Sequence, residues 1–184
     1  MKLPGDSDWY PIDLATNAFG QGVSVTPMQM VMAASALAND GQMVHPRVLY
    51  ATIQNGRQHN VATQIVGNPI TAETANTLSD MLAIALETEA SRGLVPGYRV
   101  AGKTGTAQVP TPYGYYDDEL TNGSFIGWGP LPDPQFLVYV WLEKPQSSPW
   151  GSVVAAPVFR EVVEQLVVIL GIPPDSVRSS LAGQ

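Results

Sequence analysis

The chain has 184 residues, enough for one domain or a large piece of one with a sizeable buried core. Its 45% hydrophobic and 14% charged content excludes a disordered chain, and 16 prolines with 17 glycines exclude a simple helical bundle. A net charge of −7 argues against a nucleic-acid surface, and the lack of cysteine removes disulfides, thiol catalysis and cysteine-ligated zinc without fixing a compartment.

Residues 1–17 carry Pro4, Gly5 and Pro11 and read as an extended lead-in with no first core element. Residues 1–8 lack the apolar core of a signal peptide, and no stretch reaches the roughly 20 apolar residues of a membrane span. If the protein is anchored or exported, the segment that does so is expected outside this sequence. Past the turn-rich Phe19-Gly20-Gln21-Gly22, a helix is expected over residues 27–38. Thr26 can cap it, Pro27 suits its first position and Gln29 completes a capping box. Met28, Val31, Met32 and Ser35 fall on one packing face, and Asn39-Asp40-Gly41 ends the helix.

Residues 44–53 and 57–66 flank Asn55-Gly56, a good hairpin turn. His45 and His59 fall in that hairpin without metal-ligand spacing and read as ordinary strand or surface residues. A second helix is expected over residues 72–92. Thr71 caps it, Leu78, Met81, Leu82, Ala85 and Leu86 form its core face, and Gly93 stops it. Strands are expected at 98–109, 124–129 and 136–143. A loop with three tyrosines spans 110–122, and a tight turn spans 130–134. Asp117, Asp118 and Glu119 in that loop read as a solvated run and not a metal site, so neither metal nor cofactor is expected. An apolar helix over 155–170 has Pro157 in its first turn and ends at Gly171-Ile172-Pro173-Pro174, and 175–184 reads as a loose, flexible tail. Helices and a hairpin, then three antiparallel strands, then a covering helix give an α+β fold, with residues 1–174 as one unit.

The sharpest local signal surrounds Lys103, and two chemistries compete for it. Gly97-Tyr98-Arg99-Val100-Ala101-Gly102-Lys103-Thr104 satisfies the phosphate-loop pattern GxxxxGK[ST], which would make the chain a nucleotide binder. That motif works between a buried strand and a helix. Here a helix precedes Gly97, while Pro110 and Pro112 leave little room for one after Thr104. The other reading makes Lys103-Thr104-Gly105-Thr106 the middle of a strand, with Thr104 and Thr106 on one face and Gly105 permitting a close approach. A sheet border offering a lysine, hydroxyls and amides suits an extended peptide that ends in a carboxylate.

The surrounding text resembles the penicillin-binding protein transpeptidases, particularly the class B, monofunctional type. Ala18-Phe19-Gly20-Gln21-Gly22-Val23-Ser24-Val25-Thr26-Pro27-Met28-Gln29 is similar to that family's lead into a transpeptidase-domain helix. Val100-Ala101-Gly102-Lys103-Thr104-Gly105-Thr106-Ala107-Gln108 resembles its third active-site motif. Phe125-Ile126-Gly127-Trp128 and Val153-Val154-Ala155-Ala156-Pro157-Val158-Phe159 resemble the next strand and the closing helix. The resemblance implies a partial β-lactamase/transpeptidase-like fold in which Lys103, Thr104 and Gly105 are the Lys-Thr-Gly motif. It implies that Lys103 shapes the pocket's electrostatics and that the hydroxyls of Thr104 and Thr106 bind the carboxylate of a stem peptide or β-lactam. It implies that the Thr106 amide is an oxyanion-hole donor and that Ala107 and Gln108 continue the substrate-binding strand.

Serine acyl transfer also needs a nucleophile. Val100 stands three residues before Lys103 and Trp141 three before Lys144, while Lys2 has no room, so no Ser-x-x-Lys exists. None of the seven asparagines follows a serine at two residues, so no Ser-x-Asn exists either. Both absent motifs precede the Phe19–Gly22 segment in the family, and the expectation is a fragment that lacks the N-terminal part of its domain. Such a fragment should be inert alone, and it should pair with the missing part or self-associate through uncovered apolar faces. The competing reading is a module that binds peptide or β-lactam without chemistry. The resemblance puts the parent protein on the extracytoplasmic side of a bacterial cell membrane.

Overall fold

A computed structural model of the chain describes residues 5–109 and 120–182. The lead-in is not wholly extended: α1 spans Pro11–Ala18. Proline at its first position presets the backbone, and the Asp13 carboxylate accepts from the Tyr10 N–H at 2.7 Å. None of its residues is buried, so local capping and not a core forms this helix.

Helix α2 covers Pro27–Ala38 with the expected capping box: Thr26 Oγ1 accepts from the Gln29 N–H at 3.2 Å, and Gln29 Oε1 from the Thr26 N–H at 2.8 Å. Its packing face is the expected one in part: Ser35 is buried and Val31 and Met32 are half-buried. Met28 is 55% exposed, and Ala34, Ser35 and Ala36 are the buried residues. Asp40 and Gly41 take positive φ (49° and 84°) and turn the chain. The hairpin forms as two short ladders and not one long one. Strands β1 (Met43–Val44) and β4 (Ile65–Gly67) pair at its base, and β2 (Ala51–Gln54) and β3 (Arg57–Asn60) pair at its tip. Pro46, which has no N–H to offer, lies in the gap between β1 and β2. Asn55 and Gly56 both have positive φ, as the tight two-residue turn requires. The Nδ1 of His45 bonds the Pro46 carbonyl, and His59 lies on the exposed tip opposite Thr52.

Helix α3, Ala72–Glu89, is capped by Thr71 Oγ1 at 3.1 Å from the Thr74 N–H and is followed by a single 3-10 turn at Ser91–Gly93. Its buried face is Ala75, Ser79, Ala83 and Leu86. Leu78 and Met81, expected in the core, face solvent together with Ile84. Ala75, Ser79 and Ala83 are small and let α3 approach its neighbours closely, while the bulky stripe stays exposed among the described residues.

The main sheet is β5 (Ala101–Gln108), β6 (Thr121–Gly129) and β7 (Phe136–Glu143), antiparallel in the order β5-β6-β7. Thr121 and Asn122, expected in the loop, belong to β6, and Thr121 donates to the Pro149 carbonyl at 2.6 Å. The remainder of that loop, including Asp117, Asp118 and Glu119, lies outside the described residues. Thr104 is mid-strand with Phe125 as its β6 partner, so no helix begins there and the phosphate-loop reading is overturned. After β7 come α4 (Gly151–Val154) and α5 (Ala156–Ile169). Residues 175–182, expected as a loose tail, form α6 (Asp175–Ala182). Asp175 roots that helix: its carboxylate accepts from the Arg99 N–H at 2.5 Å, and its own N–H donates to the Gly97 carbonyl at 2.9 Å.

The α+β fold is a sheet between two helical layers. Phe125, Phe136 and the partly buried Val138, Val140 and Leu142 pack with Phe159, Val163 and Val167 of α5. On the opposite face Ala101, Trp128 and Leu137 meet Ala83 and Leu82 of α3 and Leu37 of α2. A Cβ on Gly102 or Gly127 would stand 2.5 or 2.6 Å from the ring of Phe125 or Phe159, so these glycines let the rings lie against the sheet. Phe125 and Phe159 stack at 4.6 Å between centroids, tilted by 44°. On the other face the Trp128 indole N–H donates to Ser79 Oγ at 3.0 Å, and Ser79 donates to the Leu37 carbonyl at 3.4 Å. Ser79→Ala leaves that buried indole donor without an acceptor and is expected to cost about 1–3 kcal/mol in urea unfolding. A change under about 0.3 kcal/mol would show that the indole finds another partner.

Candidate functional site

Strand β5 is a border strand, and the alternation of its ladder decides which backbone groups it presents. Val109 N–H donates to the Leu120 carbonyl, so the odd-numbered residues Lys103, Gly105 and Ala107 turn their backbone groups inward to β6. Thr104 and Thr106 then turn theirs outward. The Thr104 carbonyl fits this polarity, since it accepts from the exposed Lys103 Nζ at 3.0 Å. The outer border thus carries the N–H and C=O of Thr104 and of Thr106, and Ala85, Leu86, Glu89 and Ala90 line a small hollow beside it with Gly102, Lys103 and Thr104.

Side chains alternate across the sheet in the other sense. Lys103, Gly105 and Ala107 share the face that carries Ser124 and Ile126. Thr104 and Thr106 share the α4 and α5 face with Phe125 and Gly123. What lies close to Gly105 is Ser124: a Cβ at 105 would overlap its hydroxyl. Thr106 Oγ1 accepts from the Gly151 N–H at 3.2 Å. Ala107 is exposed and Gln108 half-buried, toward the end of the strand. Lys103 has no carboxylate partner among the described residues. All six expected residues are therefore on one border strand, with the lysine on one face and the two threonine hydroxyls on the other.

Sequence reasoning missed three neighbours. Tyr139 and Trp141 of β7 fall in the rows Lys103–Ile126–Tyr139 and Gly105–Ser124–Trp141, on the face that α2 and α3 cover only at its Trp128 end. Ile126 and Tyr139 are half-exposed, and Trp141 is 45% exposed. Gly151 comes from beyond β7. No local motif marks these residues: strand register brings Tyr139 and Trp141 to the face of Lys103, and the chain after β7 brings Gly151 to Thr106 on the other face. Among the described residues, no three His, Asp or Glu side chains converge as a metal site, and no helix is long and apolar enough to cross a membrane.

An antiparallel sheet clasped by helices, with an open border bearing Lys-Thr-Gly-Thr, can take an extended chain by main-chain pairing. The chain belongs to the penicillin-binding protein transpeptidase domain family, whose model matches residues 2–164. It is 37% identical over 172 residues to Stage V sporulation protein D of Bacillus subtilis, covering 89% of this chain and 26% of that protein. It is 32% identical over 181 residues to the probable peptidoglycan D,D-transpeptidase PbpC of Pseudomonas aeruginosa, covering 98% of this chain and 31% of that one. Among solved structures, the apo transpeptidase domain of Burkholderia pseudomallei penicillin-binding protein 3 matches with a TM-score of 0.76 at 29% identity. That match covers 95% of this chain and 51% of the other. The chain thus spans under a third of the length of these two curated relatives and about half of that domain.

Proposed function

We propose that this chain is the part of a class B peptidoglycan D,D-transpeptidase that supplies the Lys-Thr-Gly wall of the active site, with the serine nucleophile supplied from elsewhere in the domain. The observation that carries the reading is the polarity of β5. Its border turns the amides of Thr104 and Thr106 outward and brings Lys103 beside them. A stem peptide or β-lactam would lie along Thr104, Thr106, Ala107 and Gln108 as an added strand. Lys103 and the hydroxyls of Thr104 and Thr106 would bind its carboxylate, and the Thr106 N–H would hold the oxyanion that forms on acylation. Gly105 keeps the strand free of a side chain at the centre of the motif.

The nucleophile would approach over the uncovered Ile126, Tyr139 and Trp141 rows, which adjoin Lys103. The exposed Leu78, Met81 and Ile84 of α3, with Ile12 and Leu14 of α1, are further apolar surface that the remainder of the domain would cover. Until it does, these faces favour pairing with that remainder or self-association. The parent protein would work on the extracytoplasmic side of a bacterial membrane, where its substrate is.

The chain alone is expected to remain unmodified after incubation with a penicillin, as read by intact mass. A stable acyl adduct on it would reveal a nucleophile that the reading denies. Saturable, reversible penicillin binding that leaves a serine-bearing remainder of the domain unreactive would favour a non-catalytic binding module instead.

A further inference from the structure

We infer that Gly151 is a positioning residue for Thr106, whose N–H makes the Thr106 hydroxyl a proton donor toward a bound carboxylate. The inference deepens the transpeptidase reading of Thr106 and rests on it. A threonine hydroxyl has one proton and two acceptor lone pairs, and unrestrained it can present either to a ligand. Here one lone pair is held by the Gly151 N–H at 3.2 Å, across 45 residues of chain. No acceptor for the Thr106 proton exists among the described residues. A hydroxyl so held has its proton left to give, and an anion gains from a donor already oriented.

The position requires glycine because of close approach. A Cβ at 151 would overlap the Gly105 carbonyl oxygen and stand 2.5 Å from the Ser124 carbonyl oxygen and 3.0 Å from the Ser124 nitrogen. All three atoms belong to the β5–β6 ladder and cannot swing aside as a flexible side chain would. Any side chain at 151 therefore lifts the start of α4 off the sheet and withdraws the N–H from Thr106. Two residues earlier, the 2.6 Å bond from Thr121 to the Pro149 carbonyl anchors the same segment, so the displacement cannot be absorbed by sliding the loop.

Two measurements test this. On this chain, amide hydrogen exchange at Gly151 should quicken about two- to tenfold in Thr106→Val, which keeps the shape and loses one hydrogen-bond acceptor. Thr106→Ser should restore the protection, with the amides of α5 unchanged in both. Equal protection in the valine variant overturns the inference whatever the protein does.

In a full-length chain that carries this segment together with a Ser-x-x-Lys, Gly151→Ala and Thr106→Val should each slow acylation by benzylpenicillin about 10- to 100-fold. Each should slow acylation by its carboxylate ester much less than acylation by the acid, since a neutral ester gains less from an oriented donor, and Thr106→Ser should regain the benzylpenicillin rate. Losses of equal size on acid and ester mean a purely structural role and overturn the inference. Absence of acylation in the unaltered full-length chain instead counts against the transpeptidase reading, while the exchange result stands by itself.

Discussion

Phe159→Ala is expected to lower the unfolding free energy by about 3–5 kcal/mol, the range for removing a fully buried aromatic ring. Phe159 has no exposed surface, lies against Gly127 and stacks on Phe125. Part of the wall around the ring is the backbone at Gly127, which has no side chain to move inward and limits how far the site can collapse. A domain with a net stability of about 5–15 kcal/mol would lose a large share of it. Phe125 is the β6 partner of Thr104, so the same substitution should also loosen the border strand. Urea denaturation at low protein concentration measures the first effect, with Phe159→Leu as a milder control. A loss below 1 kcal/mol for the alanine variant is incompatible with the packing described.

Asp175→Ala should have the next largest effect, at a point where the sequence suggests nothing of importance. The Asp175 carboxylate accepts from the Arg99 N–H at 2.5 Å and from the Arg178 guanidinium at 3.0 Å, and its own N–H holds the Gly97 carbonyl. The Tyr98 hydroxyl adds a 2.8 Å bond to the Ile172 carbonyl. Helix α6 is thereby clasped to the residues leading into β5, four positions before Lys103. A hydrogen bond to a charged group contributes about 1.5–3 kcal/mol, and a partly exposed site places the loss toward the lower end. Exchange of the Arg99 amide should quicken about tenfold or more, since 1.4 kcal/mol corresponds to a factor of ten. Asp175→Asn, which keeps an acceptor oxygen, should lie between. Unchanged exchange at Arg99 in the alanine variant would show that the strand needs no clasp.

These two sites mark different limits of legibility. Phe159 was recognisable as part of an apolar helix, but nothing local said that it would meet Gly127. Asp175 follows two prolines, and four of the next five residues are polar, so the sequence reads as tail there. It became structural only because α5 returns the chain to the start of β5. The bulky stripe Leu78–Met81 is the instructive failure. Hydrophobic periodicity locates a helix and its apolar face, and Leu86 is buried as expected, yet the rest of the buried face of α3 is the small residues Ala75, Ser79 and Ala83. Periodicity reads the stripe as core, whereas among the described residues it stays exposed.

What residues decide locally was settled by sequence alone. The Thr26–Gln29 box and Pro27 start α2, Asn55-Gly56 turns the hairpin, and a continuous apolar run makes β7 span Phe136–Glu143 as expected. Each depends on atoms within four residues of one another, and the family's motifs are equally contiguous. Only the tertiary structure decided that β5 is a border strand, that Thr104 and Thr106 turn their amides outward, and that Gly151 reaches Thr106. Strand order and register join residues 20 to 45 apart, and the free energy that selects them comes from burial between layers, which no short window of sequence contains.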